Sequence, residues 1–211
     1  MPKNVYTFED LSFSSQLIRD LINEDSKTKA FVHNFYDPSQ IERQIAEKTF
    51  DLESRKYLTQ ALKKQNKGLE LSVSSEENIR LLQEENTYTI TTGHQLNLMG
   101  GPLFSIYKIA QAIKISQELK TQNPTYNFVP VFWMATEDHD FEEINHFHLF
   151  NQKMVWLKDG QENAIAGRIN LKNLPPLLLD LEGKFSDEAA QSVVQEFTAI
   201  YKNSKNLAAA T

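Results

Sequence analysis

The sequence contains no cysteine among its 211 residues. A disulfide scaffold, a zinc site with thiolate ligands and a cysteine nucleophile are therefore all excluded. The N-terminal stretch MPKNVYTFED lacks the apolar segment of roughly 7–15 residues that a signal peptide needs. No apolar run approaches the roughly 20 residues that cross a bilayer. These absences predict a cytoplasmic protein with no membrane partner.

Basic residues are also fewer than acidic ones. The chain has 22 Lys and Arg against 28 Asp and Glu, a net charge of −6 and a pI near 5.4. A general nucleic-acid binder usually carries a basic face, so we predict no nucleic-acid partner. The hydrophobic share of 40% is ordinary for a globular protein. The length allows one substantial core, or one domain plus part of another.

Residues 1–85 have the patterns of helices. Leu and Ile at positions 17, 18, 21 and 22 predict a short amphipathic helix, and a second helix is predicted over 51–67. Ser74 and Glu77 have capping-box spacing, which predicts a third helix from there to about Glu85. We therefore predict an N-terminal helical segment over 1–85, packed on a core that begins at residue 86.

The next 50 residues predict a strand, a helix and a second strand. Tyr88–Thr92 is β-branched and aromatic and is closed by Gly93, and the apolar run 128–134 resembles a buried parallel strand. A helix is predicted from Pro102. Strand, helix, strand in this order is a βαβ unit. We expect a core made by Phe132 and Trp133 and by one face of the helix: Leu103, Ile106, Tyr107, Ala110 and Ile113.

The pattern after Glu143 is mixed. A hairpin is predicted from residues 146–150 and 154–157, with a further strand over 164–170. A helix is predicted over 186–203, capped by Ser186. Its expected buried face is Ala190, Val193, Val194, Phe197, Ile200 and Tyr201. The final residues NLAAAT carry no helix stop, so we expect the chain to be a fragment of a longer protein.

Glycine is scarce, and its distribution points to a ligand loop. Three of the 7 glycines lie within residues 93–101, directly after a predicted parallel strand, where open α/β sheets bind ligands. Free N–H groups of the following helix favour an anion there. The alternative is that the glycines only satisfy positive φ angles while His94 is exposed. The loop is neither a P-loop nor a GxGxxG motif. The candidate cofactor-binding residues are Thr92, Gly93, His94, Gln95, Asn97, Gly100 and Gly101.

Five acids and a histidine lie between Glu137 and Glu143, at the carboxyl end of the second predicted strand. A solvated charge run is the usual explanation of such a cluster. Beside the glycine loop, however, these carboxylates could hold Mg²⁺ on a nucleotide, bind a substrate ammonium or act as a general base. No HExxH or comparable spacing supports a zinc site from His139, His146 and the acids, so no metal ligands are predicted. The candidate catalytic residues are His94, Glu137, Asp138, His139 and Asp140.

Two segments together resemble a known family. TTGHQLNLMGGPLFSIYK followed by PVFWMATEDHDFEEINH is similar to the N-terminal part of the cysteine-adding enzymes of bacillithiol biosynthesis, the cysteine ligase family. The family pattern is a TGQQ-type loop, GGPL, a helix carrying YK, then PVFW and EDHDF(E)E. The resemblance covers essentially the whole chain. His94 stands where a glutamine is common, which leaves its role open.

The resemblance implies an α/β fold with a Rossmann-like parallel sheet, related to class I aminoacyl-tRNA synthetases and nucleotidyl transferases. Residues 86–211 would be the first part of that core with the start of an inserted segment. The rest of the core and a dimerising coiled coil would lie outside this chain. The implied reaction joins cysteine to the amine of glucosaminyl-malate, the last step of bacillithiol synthesis.

The mechanism that we expect from this relationship is activation of the cysteine carboxylate by ATP as an adenylate, followed by attack of the sugar amine. Two other functions remain open: a nucleotide-binding module that does not catalyse, and a metal-dependent hydrolase built on the acidic cluster. By the same resemblance the full-length protein would be a homodimer, and this fragment alone would be inactive.

Overall fold

The computed structural model describes residues 15–32, 40–157 and 164–211. The chain divides into two compact units, Met1–Tyr88 and Thr89–Thr211. Those parts of the sequence predictions that fall on residues 1–14, 33–39 and 158–163 lie outside the described residues. Within the described ranges, no helix is long and apolar enough to cross a membrane.

The described part of the first unit is helical, as predicted. It contains α1 (Gln16–Ile22), α2 (Ile41–Glu47), α3 (Leu52–Gln65) and α4 (Val73–Leu81). The predicted start of α4 at Ser74 is wrong, because Ser72 already offers a hydroxyl that accepts the N–H of Ser75. Helix α4 also ends before Glu85, since the residues after Leu81 continue as turns.

A buried arginine joins the helices of this unit. Arg55, on α3, is 5% exposed and donates to the carbonyl oxygens of Phe50 (3.3 Å), Leu82 (3.2 Å) and Glu85 (3.2 Å). Its guanidinium also lies 5.4 Å from the centroid of the Phe50 ring. Because Leu82 and Glu85 follow α4, this one side chain ties α3 to the end of α4 and satisfies carbonyls that the helix end leaves open.

The predicted strand–helix–strand order is confirmed. Strand β1 (Thr87–Gln95) and strand β2 (Asn127–Ala135) form a parallel two-stranded sheet, joined by helix α5 (Leu103–Gln122). The sequence predicted that Gly93 closes strand β1. This is wrong, because the strand continues to Gln95. A Cβ on Gly93 would lie only 3.0 Å from the carbonyl oxygen of Trp133 on β2. The glycine therefore permits the close approach of the two strands rather than ending one.

The predicted buried face of α5 is wrong. The buried residues are Ser105, Ala112, Ser116 and Leu119, whereas Tyr107 is 67% exposed. Small side chains allow a helix to lie close to a sheet, and this decides the packing seam more strongly than the positions of the large apolar residues. Trp133, predicted in the core, is 64% exposed, and Phe132 is half-buried. The other predicted core residues that are exposed are Leu103, Ile106, Ala110 and Ile113.

A hairpin and further helices complete the second unit. After α6 (Phe141–Ile144), strands β3 (His146–Leu149) and β4 (Gln152–Val155) pair antiparallel, as predicted, with His146 opposite Val155. Phe150 and Asn151 both have positive φ (47° and 62°), the geometry of a tight two-residue turn. The helices that follow are α7 (Pro175–Glu182), α8 (Glu188–Asn203) and α9 (Leu207–Ala210).

Three predictions in this region need correction. The segment 164–170, predicted as a strand, contains a short 3₁₀ helix, Ala166–Arg168, because its residues bond to the turn after β2 instead of to a neighbouring strand. Helix α8 is capped by Asp187 rather than Ser186, since the Asp187 carboxylate accepts the N–H groups of Ala189 and Ala190. Its buried residues are Val194, Thr198 and Tyr201, while Val193 and Ile200 are exposed.

The largest apolar core of the second unit lies beneath the loop that follows β1. Leu96 is fully buried and Leu98 is 1% exposed. They pack in one cluster with Ile144 of α6, with Trp156 directly after β4, with the 3₁₀ segment and its flanking residues, and with the three C-terminal helices. These two leucines anchor the glycine-bearing loop in the core. The members of the cluster are Leu96, Leu98, Ile144, Trp156, Ala166, Ile169, Leu171, Leu174, Leu178, Tyr201 and Leu207.

Candidate functional site

The two segments singled out by the sequence meet in the structure. Gln95, the last residue of β1, donates its side-chain N–H groups to Asp138 Oδ2 and to Glu143 Oε2, the latter at 3.1 Å. Asp138 follows the end of β2, and Glu143 lies in α6. Because β1 and β2 are parallel neighbours, their carboxyl ends reach the same edge of the sheet. The glycine loop and the acidic turn therefore share one edge.

The carboxylate of Asp138 organises the acidic turn. Its Oδ1 accepts the backbone N–H groups of His139 (2.7 Å) and Asp140 (3.1 Å), while its Oδ2 accepts from Gln95. The Gln95 hydrogen bond, followed by the two backbone N–H groups, lowers the pKa of Asp138 below its usual value. The carboxylate is therefore ionised at neutral pH, and it accepts three hydrogen bonds from the protein itself.

The hydrogen bond from Gln95 to Asp138 predicts that folding stability depends on pH through the Asp138 carboxylate. A depressed pKa in the folded state contributes stability above the unfolded value, about 3.9 for Asp, and that contribution is lost as pH falls through the folded pKa. In a Gln95→Leu variant, we expect the pKa of Asp138 to rise towards the ordinary value, because the largest cause of its depression is removed. Carboxyl-carbon NMR titration measures the pKa of Asp138 in the original protein and in the variant.

Asp51 is the internal control for that titration. The pKa of its carboxyl is also lowered, by hydrogen bonds from Ser54. Gln95→Leu leaves this interaction untouched, so the Asp51 titration should not move. An unchanged Asp138 titration in the variant would show that Gln95 does not hold this carboxylate in solution.

His94 has an unusual environment. Its ring centroid lies 4.9 Å from that of Phe104, tilted by 52°. Its Nε2 atom is buried and has no hydrogen-bond partner among the residues that the structure describes. Burial, and then the nearby charge of Lys108, lower the pKa of the imidazole. His94 is thus mainly neutral at pH 7, and its Nε2 is a buried polar atom whose hydrogen-bonding capacity the described residues do not use.

The loop after Gln95 has an unusual backbone. Met99, Gly100 and Gly101 have φ angles of 57°, 79° and 77°, in a region that non-glycine residues rarely adopt. A Cβ on Gly101 would lie 2.9 Å from Asn97 Cβ, whereas a Cβ on Gly100 would have no atom of the described residues within 4 Å. Asn97 donates to the Gln95 carbonyl at 3.1 Å. The loop therefore combines a tight turn with open space at Gly100.

Helix α5 begins immediately after this loop. Pro102 is its N-cap, no side chain in the described part of the chain caps it, and its first turn contains no acidic residue. The N–H groups of a helix's first turn attract anions when no side chain occupies them. These features fit a phosphate or carboxylate group of a ligand better than they fit a cation.

Tyr201 is a residue of this site that sequence reasoning did not identify. It was predicted only as part of the apolar face of α8, but its hydroxyl oxygen accepts the N–H of Met99 at 2.7 Å. It is 4% exposed, and burial raises the pKa of its phenol. A buried tyrosine generally needs a hydrogen-bond partner, which was the available signal. Tyr201 links α8 to the strained part of the loop.

Removal of the Tyr201 hydroxyl should loosen the loop. In a Tyr201→Phe variant, we expect a loss of about 1 kcal/mol in the free energy of unfolding, because a buried N–H loses its acceptor. Amide hydrogen exchange at Met99 should become faster. Tyr107→Phe is the matched control, since Tyr107 is 67% exposed and should change neither quantity. Unchanged exchange at Met99 would contradict this role of Tyr201.

The acidic turn is held from below by the 3₁₀ segment. Ala166 N donates to the Asp138 carbonyl (2.6 Å) and Gly167 N to the Thr136 carbonyl (3.0 Å). A Cβ on Gly167 would lie 2.6 Å from Thr136 Cβ. Gly167 is therefore required for this close contact. Sequence reasoning missed it because an isolated glycine carries no spacing signal.

The remaining candidate residues are not gathered around one point. Thr92 lies inside β1 and is half-buried, and Glu137, His139 and Asp140 are exposed. His146 lies in β3, with its ring centroid 5.7 Å from that of His148. Within residues 15–32, 40–157 and 164–211, no three His, Asp or Glu side chains are grouped so that they could hold a metal ion. A metal site made from His139, His146 and the acids is not formed there.

Comparison with known proteins gives a consistent result. Residues 1–211 match the family described as bacillithiol biosynthesis BshC, N-terminal Rossmann-like domain. The protein of Flavobacterium johnsoniae named "Putative cysteine ligase BshC" is 43% identical over 100% of this chain and 40% of its own length. Proteins of the same name from Flavobacterium psychrophilum and Cytophaga hutchinsonii are 39% and 34% identical, over 100% and 96% of this chain. The chain spans about 40% of the length of these relatives.

Proposed function

We propose, from the premise that this chain belongs to the BshC family of bacillithiol biosynthesis as its N-terminal Rossmann-like domain, that it forms part of an amide-forming ligase. The reaction would join the carboxyl group of cysteine to the amine of glucosaminyl-malate. The observation that carries the proposal is the contact of Gln95 with Asp138 and Glu143. This contact brings the glycine loop and the acidic turn to one sheet edge, which supports our assignment of anion binding to the loop and cation binding to the turn.

Amide formation needs both kinds of surface. A carboxylate does not react with an amine until it is activated, and the activating group proposed here is ATP, which would supply a phosphate-linked leaving group. The residues that would hold its phosphates are Gly100, Gly101 and the first turn of α5. The open space at Gly100 and the absence of an acid in that first turn support this assignment.

The side chains beside the loop would then orient the acyl group. His94 is neutral and its buried Nε2 has no partner among the described residues, so it can donate one hydrogen bond to a developing negative charge. Gln95 is fixed by two carboxylates. We assign it to positioning because its amide group holds the carboxylates of Asp138 and Glu143 beside the end of β1.

The acidic turn would receive the amine. Glu137 and Asp140 are exposed beside the ionised Asp138, so they can attract an ammonium group. His139 lies between these acids in the same turn and is exposed as well, so we assign it to the same subsite. The described residues form no cluster suited to a metal ion, and the proposal therefore assigns no step to Mg²⁺.

Deletion of the gene tests the proposed reaction directly. Cells that lack the protein should lose bacillithiol and accumulate glucosaminyl-malate, as measured by thiol labelling and mass spectrometry. The intact gene should restore the thiol, whereas a His94→Ala version should restore clearly less. Normal bacillithiol in the deletion strain would overturn the proposal. Loss of the thiol without accumulation of glucosaminyl-malate would place the protein at another step.

The polypeptide of residues 1–211 should show no ligase turnover by itself. It spans only about 40% of the length of its relatives, and the groups described here would bind and orient substrates without completing the cleft. Incubation with cysteine, glucosaminyl-malate and ATP, followed by mass spectrometry, checks this. Formation of the amide product by the isolated chain would overturn this expectation and would show that the whole catalytic apparatus lies within residues 1–211.

A further inference from the structure

Lys108 contacts the candidate site, although it does not belong to the face of α5 that the sequence predicted to be buried. Its side chain is half-buried, and its Nζ atom donates to the Gly93 carbonyl at 2.7 Å. That carbonyl directly precedes His94 in the chain. The ammonium therefore connects the second turn of α5 to the end of β1, at the peptide group that orients the histidine.

Phe104 completes this arrangement from one helical turn earlier. Lys108 Nζ lies 5.5 Å from the centroid of the Phe104 ring, within the range of a cation–π contact. The same ring lies 4.9 Å from the imidazole of His94. The imidazole is thus held through its own backbone on one side and through an aromatic ring on the other, and both supports touch the same ammonium.

We propose that Lys108 is a positioning residue of this site: its ammonium fixes the Gly93 carbonyl and the Phe104 ring, and through them it sets the orientation of the His94 imidazole. The inference deepens the proposed function and rests on it only for the statement that His94 faces the ligand. Lys108 is not assigned a contact with the reacting atoms.

The arrangement has an electrostatic consequence. The pKa of His94 is lowered first by burial and then by the charge of Lys108, the charged group that acts on it among the described residues. A like charge disfavours protonation, so the imidazole remains neutral. Removal of the ammonium should raise the pKa of His94. The Gly93 carbonyl would also lose its hydrogen bond from Lys108, so the backbone conformation at residues 93–95 should change.

The test uses NMR on the 211-residue chain and needs no enzymatic activity. In Lys108→Met, which retains most of the aliphatic stem, the pKa of His94 from imidazole titration should rise. The backbone amide signals of residues 93–95 should shift. Lys108→Arg keeps the charge and donor groups, so it should keep the low pKa. Lys114→Met is the matched control, because Lys114 lies on the same helix, is 67% exposed and pairs with Glu118 at 3.7 Å.

The outcomes separate this inference from the proposed function. If the pKa of His94 and the amide signals are unchanged in Lys108→Met, the positioning role is wrong, whatever the cell-based thiol measurement shows. Should that variant fail to fold, Lys108→Gln keeps a hydrogen-bond donor without the charge and must raise the pKa of His94. If Lys114→Met raised the pKa of His94 by the same amount, the effect would come from the overall charge of α5, and the inference would be refuted.

Discussion

Replacement of Gly167 by alanine should destabilise the acidic turn and, under the proposed function, lower the bacillithiol content of cells that carry the variant gene. The added Cβ would lie 2.6 Å from Thr136 Cβ and 3.1 Å from the Thr136 carbonyl oxygen. Backbone cannot move aside as a flexible side chain does, so the turn itself must shift. Overpacking of this kind costs about 1–3 kcal/mol. Urea unfolding of the 211-residue chain measures the loss.

The functional part of this prediction follows from the hydrogen bonds around the turn. The 3₁₀ segment holds Thr136 and Asp138 by their carbonyl oxygens, and Asp138 in turn holds Gln95. A displaced turn therefore misplaces both sides of the site. The side-chain amide signals of Gln95 should shift in Gly167→Ala, and thiol labelling of cells that carry the variant gene should show little bacillithiol.

Gly183→Ala is the matched control for Gly167. Gly183 ends α7 with φ −70° and ψ −10°, angles that alanine adopts readily, and its nearest contact from an added Cβ is 3.6 Å. Here alanine should be neutral or slightly stabilising, because it reduces the entropy of the unfolded chain. Equal destabilisation by the two substitutions would contradict the explanation from the Thr136 contact.

Replacement of Arg55 by methionine should strongly destabilise the helical unit of residues 1–88. The guanidinium is the recorded donor to three carbonyl oxygens, those of Phe50, Leu82 and Glu85. Methionine keeps the apolar stem but leaves these carbonyls without that donor, and hydrogen bonds to a charged group contribute about 1.5–3 kcal/mol each. Allowing for water at the half-buried positions, we expect a loss of roughly 3 kcal/mol.

Hydrogen exchange in α3 and α4 reports this loss separately from the second unit. Arg55→Lys should recover only part of the stability, because one ammonium cannot reach three carbonyls in a forked geometry. Arg80→Met is the matched control. Arg80 lies on α4, is 56% exposed and pairs with Glu77 and Glu84, and exposed ion pairs contribute little. Comparable losses from Arg55→Met and Arg80→Met would exclude a special role for the buried arginine.

Local patterns predicted the elements of this chain better than they predicted packing. The helices near residues 16–22 and 52–65, the strands on both sides of α5 and the hairpin at 146–155 follow from side-chain periodicity and turn residues, which act over a few positions. The buried face of α5 did not follow. Its large apolar residues were expected inside, but Ser105, Ala112 and Ser116 form the seam, because a close approach to the sheet needs small side chains.

Some residues of the candidate site could likewise be predicted from the sequence, and others could not. Gln95 and Asp138 could be proposed from the sequence, since residues that follow parallel strands meet at one edge of the sheet. Lys108, Tyr201 and Gly167 could not. Tyr201 contacts Met99 across 102 positions of chain, and no local pattern shows which distant tyrosine reaches a given loop.

The amino-acid sequence by itself determined the βαβ order, the sheet edge that the two candidate loops share and the family, because each is encoded in short motifs and in residue periodicity. Only the tertiary structure decided which side chains support the site. Hydrogen bonds such as those of Arg55, Lys108 and Tyr201 form between groups that packing brings together. Close contacts such as that of Gly167 with Thr136 depend on distances of a few tenths of an ångström, which periodicity does not specify.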